Sequence, residues 1–139
     1  MTYTIGEISK QLNISISTLR YYDKEGLLPF VHRAAGNIRV FDDTDIECLR
    51  MIECLKNTGL PLKDIKQFFK WCEEGNATIE KRYDLFVQQK EKTEQQIALL
   101  QSALDRINYK CEYYRIAKEN GTTDVPGLEE ELAMKFLNK

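Results

Sequence analysis

The chain has 139 residues, and its scarcities exclude several classes of protein. It has one histidine, His32, and its four cysteines (Cys48, Cys54, Cys72 and Cys111) form no Cys-x-x-Cys pair. Isolated thiols in a reducing compartment stay reduced, so neither a disulfide scaffold nor a tight zinc site is expected. A thiol enzyme working at Cys54 is poorly supported, because no partner base is evident beside that residue. No cofactor signature is present, and neither a metal nor a cofactor is expected. No apolar run approaches the roughly 18 residues needed to span a membrane. The N-terminus lacks a charged-then-apolar signal region, so the expected location is cytoplasmic.

A basic excess is also missing. The formal net charge is -2, so the molecule as a whole carries no electrostatic mark of a nucleic-acid binder. Locally the balance differs. Residues 1–41 hold five basic side chains (Lys10, Arg20, Lys24, Arg33, Arg39) against three acidic ones (Glu7, Asp23, Glu25), a local charge of +2. A local positive patch can steer a polyanion even on an acidic molecule.

Gly and Pro punctuate residues 1–75, are absent from 77–119, and return in 120–127. The boundaries read from this are a first domain at 1–75, a long helix at 76–119 and a short tail at 120–139. In the first segment, Thr4 followed by Glu7 has the spacing of a capping box. Ile5, Ile8 and Leu12 supply an apolar helical face, and Asn13 is a stop. Ser15 or Ser17 caps a second helix that carries Leu19, Tyr22 and Asp23 and ends at Gly26. Two short helices joined by a tight turn form a helix-turn-helix pattern. Residues His32 to Phe41 then read as a hairpin turning at Gly36-Asn37, with Arg33 and Arg39 flanking the turn. A hairpin in that place is the wing of a winged helix-turn-helix. Asp42, Asp43 or Thr44 caps a third helix of about 44–57 closed by Gly59, and Pro61 opens a fourth that ends at Gly75.

Several runs carry a family resemblance: Tyr3-Thr-Ile-Gly-Glu-Ile-Ser, Ile16-Ser-Thr-Leu-Arg20-Tyr-Tyr-Asp23, Gly26-Leu-Leu-Pro29 and Gly36-Asn-Ile-Arg39-Val-Phe41. Together they resemble the MerR family of transcription regulators, closely over 3–75 and by architecture through 119. The resemblance implies a mainly α fold, a winged helix-turn-helix DNA-binding domain followed by a long antiparallel coiled-coil dimerisation helix. The wing departs from the family's Gly-Tyr-Arg-x-Tyr, reading Asn37, Ile38, Arg39, Val40, Phe41, and so lacks two hydroxyls. Only about twenty residues follow 119, too few to enclose a drug-binding pocket by themselves.

Sequence readout needs side chains at the N-terminal end of a helix in the major groove. Ser15, Ser17, Thr18, Arg20 and Tyr21 occupy that end, and hydroxyls and Arg bond phosphates or base edges. The resemblance implies that Thr18, Arg20 and Tyr21 contact DNA, Arg20 above all, with Ser17 beside them. Arg33, Asn37 and Arg39 are expected to grip the backbone from the wing. Lys56 and Lys63, on either side of the next helix junction, are further candidates, although exposed lysines are often only solvated charges. Tyr22 is expected in the core, and Asp23 is expected to pair with Arg20 or Lys24.

Between 77 and 119, Ile79, Tyr83, Phe86, Lys90, Thr93, Ile97, Leu100, Leu104, Ile107, Cys111 and Tyr114 are spaced alternately four and three residues apart. That is a heptad seam of about five heptads, interrupted at Lys90 and Thr93. A single helix cannot bury such a stripe, and a second copy of the chain is the simplest partner. The alternative is a helical bundle within one chain. Strand orientation is not set by heptads; the antiparallel arrangement is what the resemblance implies.

On a helical wheel, Cys48 falls with Leu49, Ile52 and Leu55 on the buried stripe of the third helix. Cys54 points away from it, with Arg50 one turn earlier and Glu53 adjacent. Cys72 shares the face of Ile65, Phe68 and Phe69 and is expected to pack, as is Cys111 in the seam. The run Ile52-Glu-Cys54-Leu-Lys-Asn-Thr-Gly59 resembles the aldehyde- and electrophile-responsive branch of the family, which implies a sensing role for Cys54. The expected function is a dimeric, stress-responsive regulator that binds double-stranded promoter DNA, distorts it, and works with RNA polymerase. Two alternatives stay open: a regulator of the same fold sensing a small molecule or metal, and a coiled-coil adaptor without DNA binding.

Overall fold

The computed structural model describes residues 1–28 and 31–137. Pro29 of the Gly-Leu-Leu-Pro run lies outside the described residues, as does the side chain of Asn37. The chain is mainly helical. Strand β1 (Thr2–Thr4) leads into α1 (Ile5–Leu12) and α2 (Ile16–Lys24). Strands β2 (His32–Ala34) and β3 (Ile38–Asp42) follow, then α3 (Asp43–Asn57), α4 (Leu62–Glu74), α5 (Ile79–Asn120) and α6 (Leu128–Phe136). Two compact units divide the chain, Met1–Gln89 and Lys90–Lys139.

Local chemistry sets most helix ends in the first unit. The Glu7 amide donates to Thr4 Oγ1 at 3.2 Å, and the Thr4 amide donates back to Glu7 Oε1 at 3.2 Å. These two bonds satisfy N–H groups that a helix start leaves unpaired. Asn13 closes α1 in the left-handed region, with φ 55°, a conformation that Asn tolerates. Ser15 caps α2 by accepting the Thr18 amide at 3.1 Å. Asp42 and Asp45 repeat the reciprocal box at the start of α3, each bond 2.8 Å. Pro61 stands at the cap position before α4.

The sheet is antiparallel in the order β1-β3-β2. The wing hairpin was legible in advance; β1 was not. Its register, Tyr3 opposite Phe41 and Thr4 opposite Val40, ties the chain start to the strand that precedes α3. Gly36, in the Gly-Asn pair read as the turn, turns the hairpin with φ 78°, a positive angle that glycine adopts freely. Gly26 is the second glycine the backbone requires. Its φ is 78°, and an added Cβ would meet Lys66 Nζ at 3.1 Å.

One core joins these elements. Ile8 of α1, Leu19 and Tyr22 of α2, Leu27, Phe41 of β3, Leu49 and Ile52 of α3 and Ile65 of α4 are all almost fully buried. Burial of several such side chains, at about 1.5–3 kcal/mol each, is what orients the two helices of the helix-turn-helix. The early turns of α5 belong to the same unit. Phe86 packs against this core and meets Phe68 edge-on, ring centroids 5.3 Å apart. Cys72 corrects an expectation. It is exposed, because the buried face of α4 ends at Ile65 and Phe69 and the last turn runs past the core.

In the second unit, α6 packs through Leu128 and Leu132 against Tyr113 of α5, with Tyr109, Ile116, Val125 and Phe136 around them. No helix among the described residues is long and apolar enough to cross a membrane.

Candidate nucleic-acid interface

The N-terminal turn of α2 presents a compact polar surface. Ser15 Oγ lies 2.7 Å from Thr18 Oγ1 and 3.1 Å from Ser17 Oγ, so three hydroxyls form one hydrogen-bonded group at the helix start. Ser17 is exposed and Thr18 half-buried. Arg20 and Tyr21 follow on the exposed side, Tyr21 with 49% of its surface accessible. None of the ion pairs among the described residues uses Arg20. A helix N-terminus with hydroxyls and a guanidinium one turn on suits an anionic, hydrogen-bonding partner.

The opposite side of α2 is fixed. Tyr22 is buried, as its spacing from Thr18 and Leu19 suggested. Its hydroxyl donates to Glu53 Oε1 at 2.6 Å and accepts from Lys56 Nζ at 2.9 Å. Desolvation and the Glu53 carboxylate push the Tyr22 phenol above its ordinary pKa, while Lys56 opposes them. Lys56 Nζ also stands 5.4 Å from the centre of the Tyr22 ring, a cation–π distance. The hydrogen bond to Tyr22 raises the Lys56 pKa, so the ammonium stays charged. Lys56 thus sits where α3 braces α2. Lys63 is exposed in the first turn of α4.

The wing arginines converge on α2. Arg33 Nη2 donates to Asp23 Oδ2 at 2.8 Å, and Arg39 Nε donates to the same oxygen at 2.7 Å, with Arg39 Nη2 in ion-pair contact with it at 2.6 Å. This corrects the expected pairing of Asp23 with Arg20 or Lys24. Local spacing offered those neighbours, but the fold brings a strand pair over the last turn of α2. Nothing local could have named Arg33 and Arg39 as partners, since they lie 10 and 16 residues away.

Cys54 is exposed on α3, as the wheel indicated; Cys48, expected in the core, is half-buried at its edge. Burial pushes the Cys48 thiol above its ordinary pKa, with nearby carboxylates adding to the effect. Of the proposed seam, Ile79, Tyr83, Ile97, Leu100, Leu104, Ile107, Cys111 and Tyr114 are exposed, whereas Phe86 is half-buried against Phe68.

Comparison with known proteins agrees with this architecture. The MerR HTH family regulatory protein model matches residues 3–70, and the "MerR, DNA binding" model matches residues 46–109. An uncharacterized HTH-type transcriptional regulator of Haemophilus influenzae is 44% identical over 92% of this chain and 95% of its own length. The Bacillus subtilis HTH-type regulator YyaN is 33% identical over 86% of this chain and 96% of its own. Among solved structures, HiNmlR, a MerR family regulator lacking the sensor domain and bound to promoter DNA, is similar with a TM-score of 0.83. It shares 46% identity and covers 88% of this chain and 98% of its own. A MerR family regulator from Bacillus thuringiensis follows at 0.76 and 43% identity, covering 81% and 98%. These relatives are transcriptional regulators, which sets aside the thiol-enzyme alternative. The chain is a DNA-binding transcriptional regulator of the MerR family.

Proposed function

We propose that this regulator works as a homodimer on a pseudo-palindromic promoter element, reading it through the N-terminal half of α2. The observation that carries the reading is the exposed surface of Ser17, Arg20 and Tyr21, with half-buried Thr18 among them, held at a fixed angle by buried Leu19 and Tyr22 on the other side of the helix. Arg20 and the hydroxyls meet base edges and phosphates in the major groove. Arg33, Asn37 and Arg39 serve the adjoining backbone from the wing, with Lys56 and Lys63 flanking it. The promoter-bound state of HiNmlR supports this use of the fold.

The dimer rests on α5. Ile97, Leu100, Leu104 and Ile107 expose between 47% and 71% of their surfaces in the single chain. A row of apolar side chains at heptad spacing favours burial against a second helix. Near its end, Ile107, Cys111 and Tyr114 also line an open groove of about 740 Å³. Two copies paired antiparallel along this seam give two reading surfaces on one duplex. Distorting the DNA between them brings separated promoter elements into register for RNA polymerase, with the deformation energy drawn from phosphate contacts.

The signal in this reading is a reactive aldehyde or other electrophile that adds to the exposed Cys54 thiol, the thiolate being a natural nucleophile. The support is the exposure of Cys54 and the resemblance of its flanking run to the electrophile-responsive branch.

The experiment is selection of a duplex from a random pool by the intact chain, followed by affinity at several salt concentrations. Phosphate contacts make log K fall with log salt, by about 0.9 per contact. Arg20→Ala is expected to abolish preference for the selected duplex while leaving the oligomer intact. Unchanged affinity of Arg20→Ala at fixed salt contradicts the reading.

A further inference from the structure

We propose that Asp23 is a positioning residue that locks the wing to the reading helix, by neutralising two arginines that the hairpin register sets face to face. The proposal rests on α2 and the wing meeting DNA.

The register places Arg33 of β2 directly opposite Arg39 of β3. Like charges directly opposite on an antiparallel pair destabilise it. Packing offers little compensation, because all three residues of β2 are exposed. The strand is held by its backbone pairing and by whatever relieves the two guanidinium groups. Asp23 Oδ2 supplies that relief, accepting hydrogen bonds from Arg33 Nη2 and Arg39 Nε and standing in ion-pair contact with Arg39 Nη2. The Asp23 side chain is only 18% exposed and that of Arg39 24%. Charge-assisted bonds of this kind, in a half-buried setting and with a planar fork, are stronger than an exposed surface pair.

Two consequences follow from the geometry. The carboxylate comes from the last turn of α2, so the ion cluster is a direct tie between reading helix and wing. The tie also consumes charge. One carboxylate against two guanidinium groups leaves a net +1, where the two arginines alone would carry +2. Asp23 therefore exchanges indiscriminate attraction to phosphate for a fixed geometry. Arg39, held against Asp23, meets the DNA backbone from a wing whose position this tie fixes.

Asp23→Asn separates this role from a general loss of folding. The variant and the wild type are measured as full chains on the selected duplex and on a random duplex of equal length, across a salt series. Asp23→Asn is expected to bind the selected duplex at least about tenfold more weakly. It is expected to bind the random duplex more tightly, with a salt slope steeper by about one to two units, since each added phosphate contact contributes about 0.9. Amide hydrogen exchange is expected to quicken in β2 and β3 and to stay unchanged in α1 and α3. Arg39→Lys, which keeps the charge but loses the fork, is expected to fall between the two. Equal loss on both duplexes, or exchange quickened throughout the unit, overturns the proposal, and so does an unchanged ratio of the two affinities. A wild-type chain that selects no duplex overturns the DNA-reading account, and this proposal with it.

Discussion

Gln89 and Thr58 are joined twice: the Gln89 carboxamide nitrogen donates to Thr58 Oγ1 at 2.8 Å and to the Thr58 carbonyl at 3.2 Å. Gln89 is buried in α5, and Thr58 caps the end of α3. The Thr58 amide in turn donates to the Cys54 carbonyl at 3.2 Å. A buried amide at a helix packing site is costly unless bonded, so the pair fixes where α5 meets the end of α3. It also links the helix that carries Cys54 to the helix that carries the seam.

Gln89→Leu removes both bonds and is expected to lower stability by about 1–2 kcal/mol, since a typical intramolecular hydrogen bond contributes about 0.5–1.5 kcal/mol net. Urea unfolding of the full chain measures it. Combined with Thr58→Val, the losses are expected to be non-additive by about 0.5 kcal/mol or more. Additive losses would show that the two residues do not act as a pair.

Asp45 gives a pH dependence with a definite sign. It is buried at the start of α3, and desolvation raises its pKa from 3.8, opposed in part by the Asp42 amide. The folded state therefore holds this proton more tightly than the unfolded state. Its contribution to stability is fully present below the unfolded value and is lost as pH rises through the raised folded value. Asp45→Asn keeps an oxygen to accept the Asp42 amide and carries no charge. Its stability relative to wild type is expected to improve as pH rises from about 3 to 7. A difference that is flat with pH contradicts this.

The cysteines differ in access. Cys54, Cys72 and Cys111 are exposed, while Cys48 is half-buried with its thiol pKa pushed up by burial. Alkylation followed by peptide mass mapping is expected to label Cys48 slowest, because the thiolate is the reacting form. Cys54→Ser is expected to abolish the transcriptional response to aldehydes while retaining DNA binding. A response that survives the substitution removes Cys54 from the account.

What could be read in advance was local. Thr4 with Glu7, Asn13, Ser15 and Gly36 announce their roles within a turn or two of chain, because capping and turn chemistry depend on near neighbours. The placement of Tyr22 in the core and Cys54 outside it follows from helical periodicity alone. The misses are long-range. Asp23 finds Arg33 and Arg39 only after the wing has folded over α2. Strand β1 is three residues long, and its pairing with β3 depends on Phe41 and Val40 arriving from far along the chain. Cys72 shares a helix face with Ile65 and Phe69, but periodicity cannot tell where along that face the core stops.

Copy number on DNA tests the central claim most directly. Sedimentation equilibrium of the full chain, alone and with its selected duplex, compares the wild type with Leu100→Glu/Leu104→Glu, which puts charge into the seam. The account predicts two copies in free solution and two per duplex for the wild type. The variant is predicted to sediment as one copy and to lose preference for the duplex. A wild-type chain that is a single copy in solution and binds the duplex as a single copy at full affinity would contradict it.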